Sequence, residues 1–228
     1  GGSIEILNTD IGAQILKCGE YTGGIIGYVT GSNPQITIDG LTSKLQPIVV
    51  KGSSYVGGIF GKISNADMTL KNIKLAHEST QSENEAIVGS GPYVGGIAGE
   101  LYSSDSNAQI SLDNVSLSFP IKGKDNTGGL FGKVNNAGYT LKLTQTRVSS
   151  NLIGAYNAGG FIGSTDSESS DGSHPFKMEF NDYVGFGVIN SNYTKVSGSK
   201  NVGGMMGYAS NIEISADNAT VKIETSVS

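Results

Sequence analysis

The chain has 228 residues, enough for one large domain with a sizeable core. Charged residues make up only 15%, the net charge is −5 and no basic cluster occurs, which argues against nucleic acid and an anionic membrane surface as partners. No apolar run approaches the ~20 residues of a membrane span, so no membrane insertion is expected.

The opening Gly1-Gly2-Ser3 reads as an expression remnant or an arbitrary cut, with no signal peptide behind it. The strand Ile4-Glu5-Ile6 follows. Cys18 is the one cysteine, so no internal disulfide forms, and a buried structural thiol is the expected role. Gly23-Gly24-Ile25-Ile26-Gly27 is then the first of six copies of a Gly-Gly-apolar-apolar-Gly signature. Later copies open at Gly57-Gly58, Gly95-Gly96, Gly128-Gly129, Gly159-Gly160 and Gly203-Gly204, with first glycines 34, 38, 33, 31 and 44 residues apart. Such periodicity marks a solenoid, and these glycine pairs are its structural repeat residues.

Between signatures a second segment recurs. Ile36-Thr37-Ile38-Asp39-Gly40-Leu41 alternates apolar and polar residues with the two-residue period of a half-buried strand. Met68 to Leu75 and Ile110 to Leu117 repeat it, and degenerate copies start at Tyr139, Phe176 and Ile212. The phase slips by one residue at Asp39-Gly40, Lys71-Asn72 and Asp113-Asn114. Gly and Asn tolerate left-handed backbone, so these steps read as corners. A third limb appears at Ile48 to Gly52, at Ala86 to Gly89 and at Ile121 to Gly123. The signature itself carries apolar groups on both faces of a strand and is expected to be covered on both sides. The spacing of 44 implies an insertion, placed at Ser164 to His174.

The expected fold is all-β: a parallel β-helix of about six coils of three short strands. Residues 1–228 form a single repeat domain. The chain starts and stops in mid-repeat without a polar cap, as a fragment of a longer array would, so neighbouring repeats of the same chain are expected partners.

Val56 to Gly61, Val94 to Gly99 and Val202 to Gly207 read Val-Gly-Gly-apolar-x-Gly and resemble the GLUG motif of bacterial secreted and surface proteins. These include adhesin-like proteins and the repeat region of some immunoglobulin A-cleaving metallopeptidases. Thr22, Thr127 and Ala158 replace the leading Val in other copies. A second resemblance is to chlamydial polymorphic membrane proteins, whose Phe-x-x-Asn partner motif does not recur here. Both resemblances imply a β-helix that is secreted or displayed on the cell surface. Neither carries catalytic residues onto this sequence.

The residues themselves point the same way. Glu100, Asp113 and Glu179 sit at polar strand positions and read as solvated surface charge rather than paired catalytic carboxylates. His77 and His174 are far apart in sequence and His-Glu-x-x-His is absent, so neither a triad nor a zinc site is expected. Asp166, Glu168 and Asp171 gather hard oxygen ligands suited to calcium, though their spacing matches no known loop and a plain acidic loop is preferred. No glycine motif opens a helix to cradle phosphate, so no cofactor is expected. Tyr21, Tyr55 and Tyr93 share one repeat position, continued by Asn126, Asn157 and Asn201. Alternation puts them on the face of the signature Ile, where they read as structural stacking rather than as a sugar platform. Thr37, Thr69, Ser111 and Thr140 read as an outward hydroxyl row interrupted by Lys177 and Glu213, too broken for ice binding. Sequons at Asn114, Asn192 and Asn218 are as frequent as chance provides.

The chain is therefore expected not to be an enzyme but an extracellular structural and adhesive module facing a host protein or glycan. Alternatives are a non-catalytic arm of a secreted enzyme such as a peptidase, and a polysaccharide-active β-helix enzyme.

Overall fold

The computed structural model describes residues 2–12, 14–43, 48–77, 86–104, 108–135, 138–166, 175–187 and 194–227. Every regular element among them is a β-strand, and every strand pairing is parallel. The fold is a parallel β-solenoid.

One coil shows how the sequence winds. The alternating limb Gln35–Thr42 leads to the return limb Val49–Gly52. The glycine signature then supplies an entry limb, Val56–Gly57, and an exit limb, Phe60–Ser64. The next alternating limb, Asp67–Ala76, starts the following coil one rung on. Among the described residues the alternating and return limbs form one 13-stranded sheet. The final strand, Ile212–Val227, joins its two arms by pairing first with Phe176–Gly187 and then with Thr194–Ser197. Entry limbs and exit limbs each form a six-stranded sheet. The three expected limbs are thus present, but the signature is bent into two strands instead of running as one.

The bend has a steric cause. A Cβ on Gly57 would strike the Phe60 carbonyl oxygen of its own coil and lie 2.7 Å from Ala98 Cα in the next. A Cβ on Gly58 would strike the Gly96 carbonyl oxygen one rung away. One on Gly61 would lie 2.5 Å from the Tyr21 carbonyl carbon. The three glycines let the chain turn within two residues, stack rung on rung, and press the entry and exit sheets together backbone to backbone.

Apolar rows run through the coils in register. Ile36 pairs with Met68, Met68 with Ile110, Ile110 with Leu141 and Leu141 with Met178. The return limb stacks Val50, Ile87, Ile121, Leu152 and Val196. The signature backbone stacks as well: the amides of Ile25, Ile59, Ile97, Leu130 and Phe161 each donate to the next copy's carbonyl at 2.8–3.1 Å. In the four inner copies both apolar signature residues are buried, as Ile59 with Phe60 and Leu130 with Phe131, so the signature is covered on both sides there as expected, while Ile25, Ile26, Met205 and Met206 of the end copies are half-buried. These side chains belong to one core.

The phase slips are corners. Asn8, Gly40, Asn72, Asn114, Gln145, Asp182 and Asn218 all take positive φ, between 46° and 75°. Asn72 Nδ2 donates to Asp39 Oδ1 and Asn114 Nδ2 to Asn72 Oδ1, each at 2.8 Å, which ties successive corners together.

Several sequence expectations change. Cys18 is exposed rather than buried, because it lies in the first coil, which has a neighbour on one side only. The degenerate alternating limbs align two residues later than expected: Leu141, Met178 and Ile214 continue the row of Ile36. Ser164 to Asp166 extend the exit limb Ile162–Asp166, so this part is strand rather than insertion, and 167–174 fall outside the described residues. Among the described residues no helix is long and apolar enough to cross a membrane.

Candidate functional site: the tyrosine–lysine face

Tyr21, Tyr55 and Tyr93 each sit one residue before an entry limb, with φ of 54°, 51° and 66°. Asn126, Asn157 and Asn201 hold the same position at 54°, 53° and 54°. A left-handed residue breaks strand alternation, so these side chains leave the core side, contrary to the expectation that they share a face with the signature Ile. Tyr21 is partly exposed, whereas Ile59 and Ile97 are fully buried.

Once outside, the tyrosines stack. Ring centroids are 4.9 Å apart for Tyr21–Tyr55 and for Tyr55–Tyr93, close to the ~4.8 Å separation of neighbouring strands. Tyr28, on the exit limb Ile26–Val29, extends the stack with its ring 5.0 Å from Tyr21. Further along, the same positions switch to an amide ladder: Asn157 Nδ2 donates to Asn126 Oδ1 at 2.8 Å, and Asn201 Nδ2 to Asn157 Oδ1 at 2.7 Å.

The exit limbs add charge. Tyr28, Lys62, Glu100, Lys133, Ser164 and Tyr208 form one row. Lys62 Nζ lies 2.7 Å from Glu100 Oε2, and it sits 5.0 Å from the Tyr55 ring centroid and 5.4 Å from that of Tyr102. Burial pulls the Lys62 pKa down, but the Glu100 carboxylate more than offsets it, so the ammonium titrates above its ordinary value. Lys133 sits 5.6 Å from the Tyr93 centroid and pairs with Asp166 at 3.3 Å. Tyr28 Oη and Ser64 Oγ share a hydrogen bond at 3.3 Å, which with Thr30 favours the phenolate and lowers the Tyr28 pKa. Tyr55 is pushed up by burial and by Glu100. Beneath this face the Tyr139 hydroxyl donates to the Tyr102 carbonyl at 2.8 Å, and burial raises its pKa strongly.

Glu100 is therefore not solvated surface charge: it is 3% exposed and held by Lys62. Nothing in its sequence context signals burial, because the cause is its partner one coil away. Asp113 and Glu179 are half-exposed on the alternating limbs as expected, and Glu179 pairs with Lys142. His77 is described, while His174, Glu168, Asp171 and Asn192 lie outside the described residues. Among the described residues no group of three or more His, Cys, Asp or Glu converges as a metal site would require. The hydroxyl row continues from Ser111 to Lys142, Glu179 and Ser215 rather than to Thr140. Thr140, Lys177 and Glu213 belong to the adjacent row.

Sequence reasoning missed Tyr28, Lys62 and Lys133. The available signal was their position: each directly follows the last glycine of a signature copy.

In this arrangement each inner tyrosine ring is flanked by another ring or by an ammonium. Tyr28 and Tyr21 are the open members of the stack, 44% and 36% exposed, while Lys62 and Lys133 are largely covered. Such a face can contact a hydroxylated or charged polymer over several coils; it does not gather acids for proton transfer. No family model matches the sequence, and no curated protein and no solved structure matches it either.

Proposed function

We propose that the chain is a structural and adhesive repeat module that works outside the cell, as a secreted or surface-displayed solenoid that contacts a host or glycan partner. The tyrosine–lysine face carries this reading. Tyr28, Tyr21, Tyr55 and Tyr93 form a row of neighbouring rings across three coils, flanked by Lys62 and Lys133, with Tyr28 exposed. Tyrosine ordered in this way offers contact area at low entropic cost, and its hydroxyls offer hydrogen bonds. The outward rows of the alternating limbs add a long polar surface of Thr, Ser, Lys and Glu.

The test is binding of the chain, coupled to beads, to a panel of glycans and to cultured host cells. A Tyr21→Ala/Tyr28→Ala double variant with an unchanged melting point should lose binding. Retained binding in that variant would contradict the tyrosine face. Absence of all binding, or release of reducing sugar from any polysaccharide, would contradict the adhesive reading.

A further inference from the structure

The return limbs form a face unlike the rest of the molecule. One outward row runs Lys51, Val88, Lys122, Ile153 and Ser197 through five successive coils, and Leu16, which follows the first return limb Gln14–Ile15, lies next to its start. Apolar and cationic side chains alternate along it. Leu16, in the end coil, and Ile153, inside the stack, are 55% and 49% exposed. Lys124 follows the Lys122 strand and is exposed, Lys195 is exposed on the sixth return limb, and Lys17 is exposed beside the first, so lysines occur on the first, second, fourth and sixth coils. A cleft of about 480 Å³ at the first coils is lined by Leu16, Lys17, Lys51, Gly52, Val88 and Ser90. Among the described residues, none of the return limbs up to Thr194–Ser197 carries an Asp or Glu. In a chain of net charge −5 this is a segregated basic and apolar stripe.

We infer that this stripe binds an acidic polysaccharide laid along the solenoid axis, which deepens the adhesive reading and rests on it. Lysines two rungs apart lie about 9.6 Å apart along the axis, given a strand separation of ~4.8 Å. A polymer with one acidic group in register with every second rung meets Lys51 and Lys122, and the C–H faces of its sugars lie over Val88 and Ile153. An extended acidic peptide repeats its same-face side chains every ~6.7 Å and falls out of step with the lysines within two rungs. Lys51 and Lys122 each already hold an interaction within the chain, so the polymer's carboxylates exchange with existing partners.

The test uses the full 228-residue chain with three immobilised probes: polygalacturonate, neutral dextran and poly-glutamate. Polygalacturonate should bind, weakening as salt is raised. A Lys51→Gln/Lys122→Gln/Lys124→Gln variant should bind about tenfold more weakly, the summed effect of three charge contacts, one half-buried and two exposed. An Ile153→Ser variant should weaken binding without changing its salt dependence. Unchanged far-UV circular dichroism and melting point would show that the variants stay folded. Equal binding of dextran, equal binding of poly-glutamate, or an unaffected triple-lysine variant would each overturn the inference. If the chain binds cells or neutral glycans through Tyr28 alone, this inference falls and the adhesive reading stands. If it binds no polymer and no cell, both fall.

Discussion

At Gly57 an added Cβ would lie 2.7 Å from both Ala98 Cα and the Ile97 carbonyl oxygen, and all three neighbouring atoms are backbone. Nothing there can swing aside, so Gly57→Ala should cost at least the 1–3 kcal/mol typical of overpacking. At Gly19 nothing lies within 4 Å of the same atom, and Gly19→Ala should change stability by less than about 1 kcal/mol. Thermal melts of both variants check the contrast, and equal losses would contradict the backbone-to-backbone packing. Asn72 makes a different demand, since its φ of 52° is left-handed. Asn72→Ala should cost about 1–2 kcal/mol, and Asn72→Gly clearly less, because Gly40 fills the same corner one coil earlier. Equal losses in chemical denaturation would remove the corner argument. These residues also mark what the sequence made legible. The slip at Asn72 broke a two-residue alternation and could be read from spacing alone. The outward turn of Tyr55 is hidden in its own copy, since tyrosine does not favour left-handed backbone, and shows only through Asn126, Asn157 and Asn201 at the same repeat position. Glu100 and Cys18 were misjudged for a related reason: their burial depends on which coil lies beside them.

The shifted titrations cluster around the tyrosine–lysine face and the buried phenol beneath it. Tyr55 and Tyr139 both have raised pKa values, burial being the main cause, and Lys62 is raised by Glu100. Each group is raised in the fold, so its contribution is fully present below its unfolded value, 10.0 for tyrosine and 10.5 for lysine, and is lost as pH rises through the folded value. Tyr28, lowered by Ser64 and Thr30, acts in the opposite sense but is exposed and screened. Stability followed by denaturant melts should therefore hold to about pH 10 and fall above it. The fall should be shallower in Tyr139→Phe. A slope unchanged by that substitution would contradict the buried phenol. The limbs differ in how plainly their pattern shows in the sequence. Ile36 to Asp39 alternates cleanly up to the corner at Gly40, whereas the limb Thr140–Val148 starts after Tyr139, a buried residue that extends the apolar pattern two places early.

Across the whole molecule, each coil rests on its neighbours, and the buried rows end where neighbours end. Ile214, Ile223 and Val227 on the last strand are 37–49% exposed, while Leu143 and Phe180 inside are almost fully covered. Stability should follow position. Leu112→Ala, mid-stack, should cost about 2–5 kcal/mol, and Ile214→Ala should cost much less. Similar losses at both sites in equilibrium unfolding would contradict a quasi-one-dimensional stack. At this scale the repeat was fully readable, because six signatures fix six rungs whatever the loop lengths between them. The contact surfaces were not, since they combine residues more than thirty positions apart, such as Lys62 with Glu100.

The most direct test is a set of distances between spin labels placed on the outward row Glu5, Thr37, Lys142, Glu179 and Ser215 in a Cys18→Ser background. Thr37 to Lys142 spans three rungs, Thr37 to Glu179 four, and Glu5 to Ser215 six. The stacked solenoid predicts backbone separations rising in equal steps of ~4.8 Å per rung, to about 29 Å for the longest pair. Separations that do not increase linearly with rung number, or a longest pair closer than the three-rung pair, would contradict one glycine-marked unit per rung.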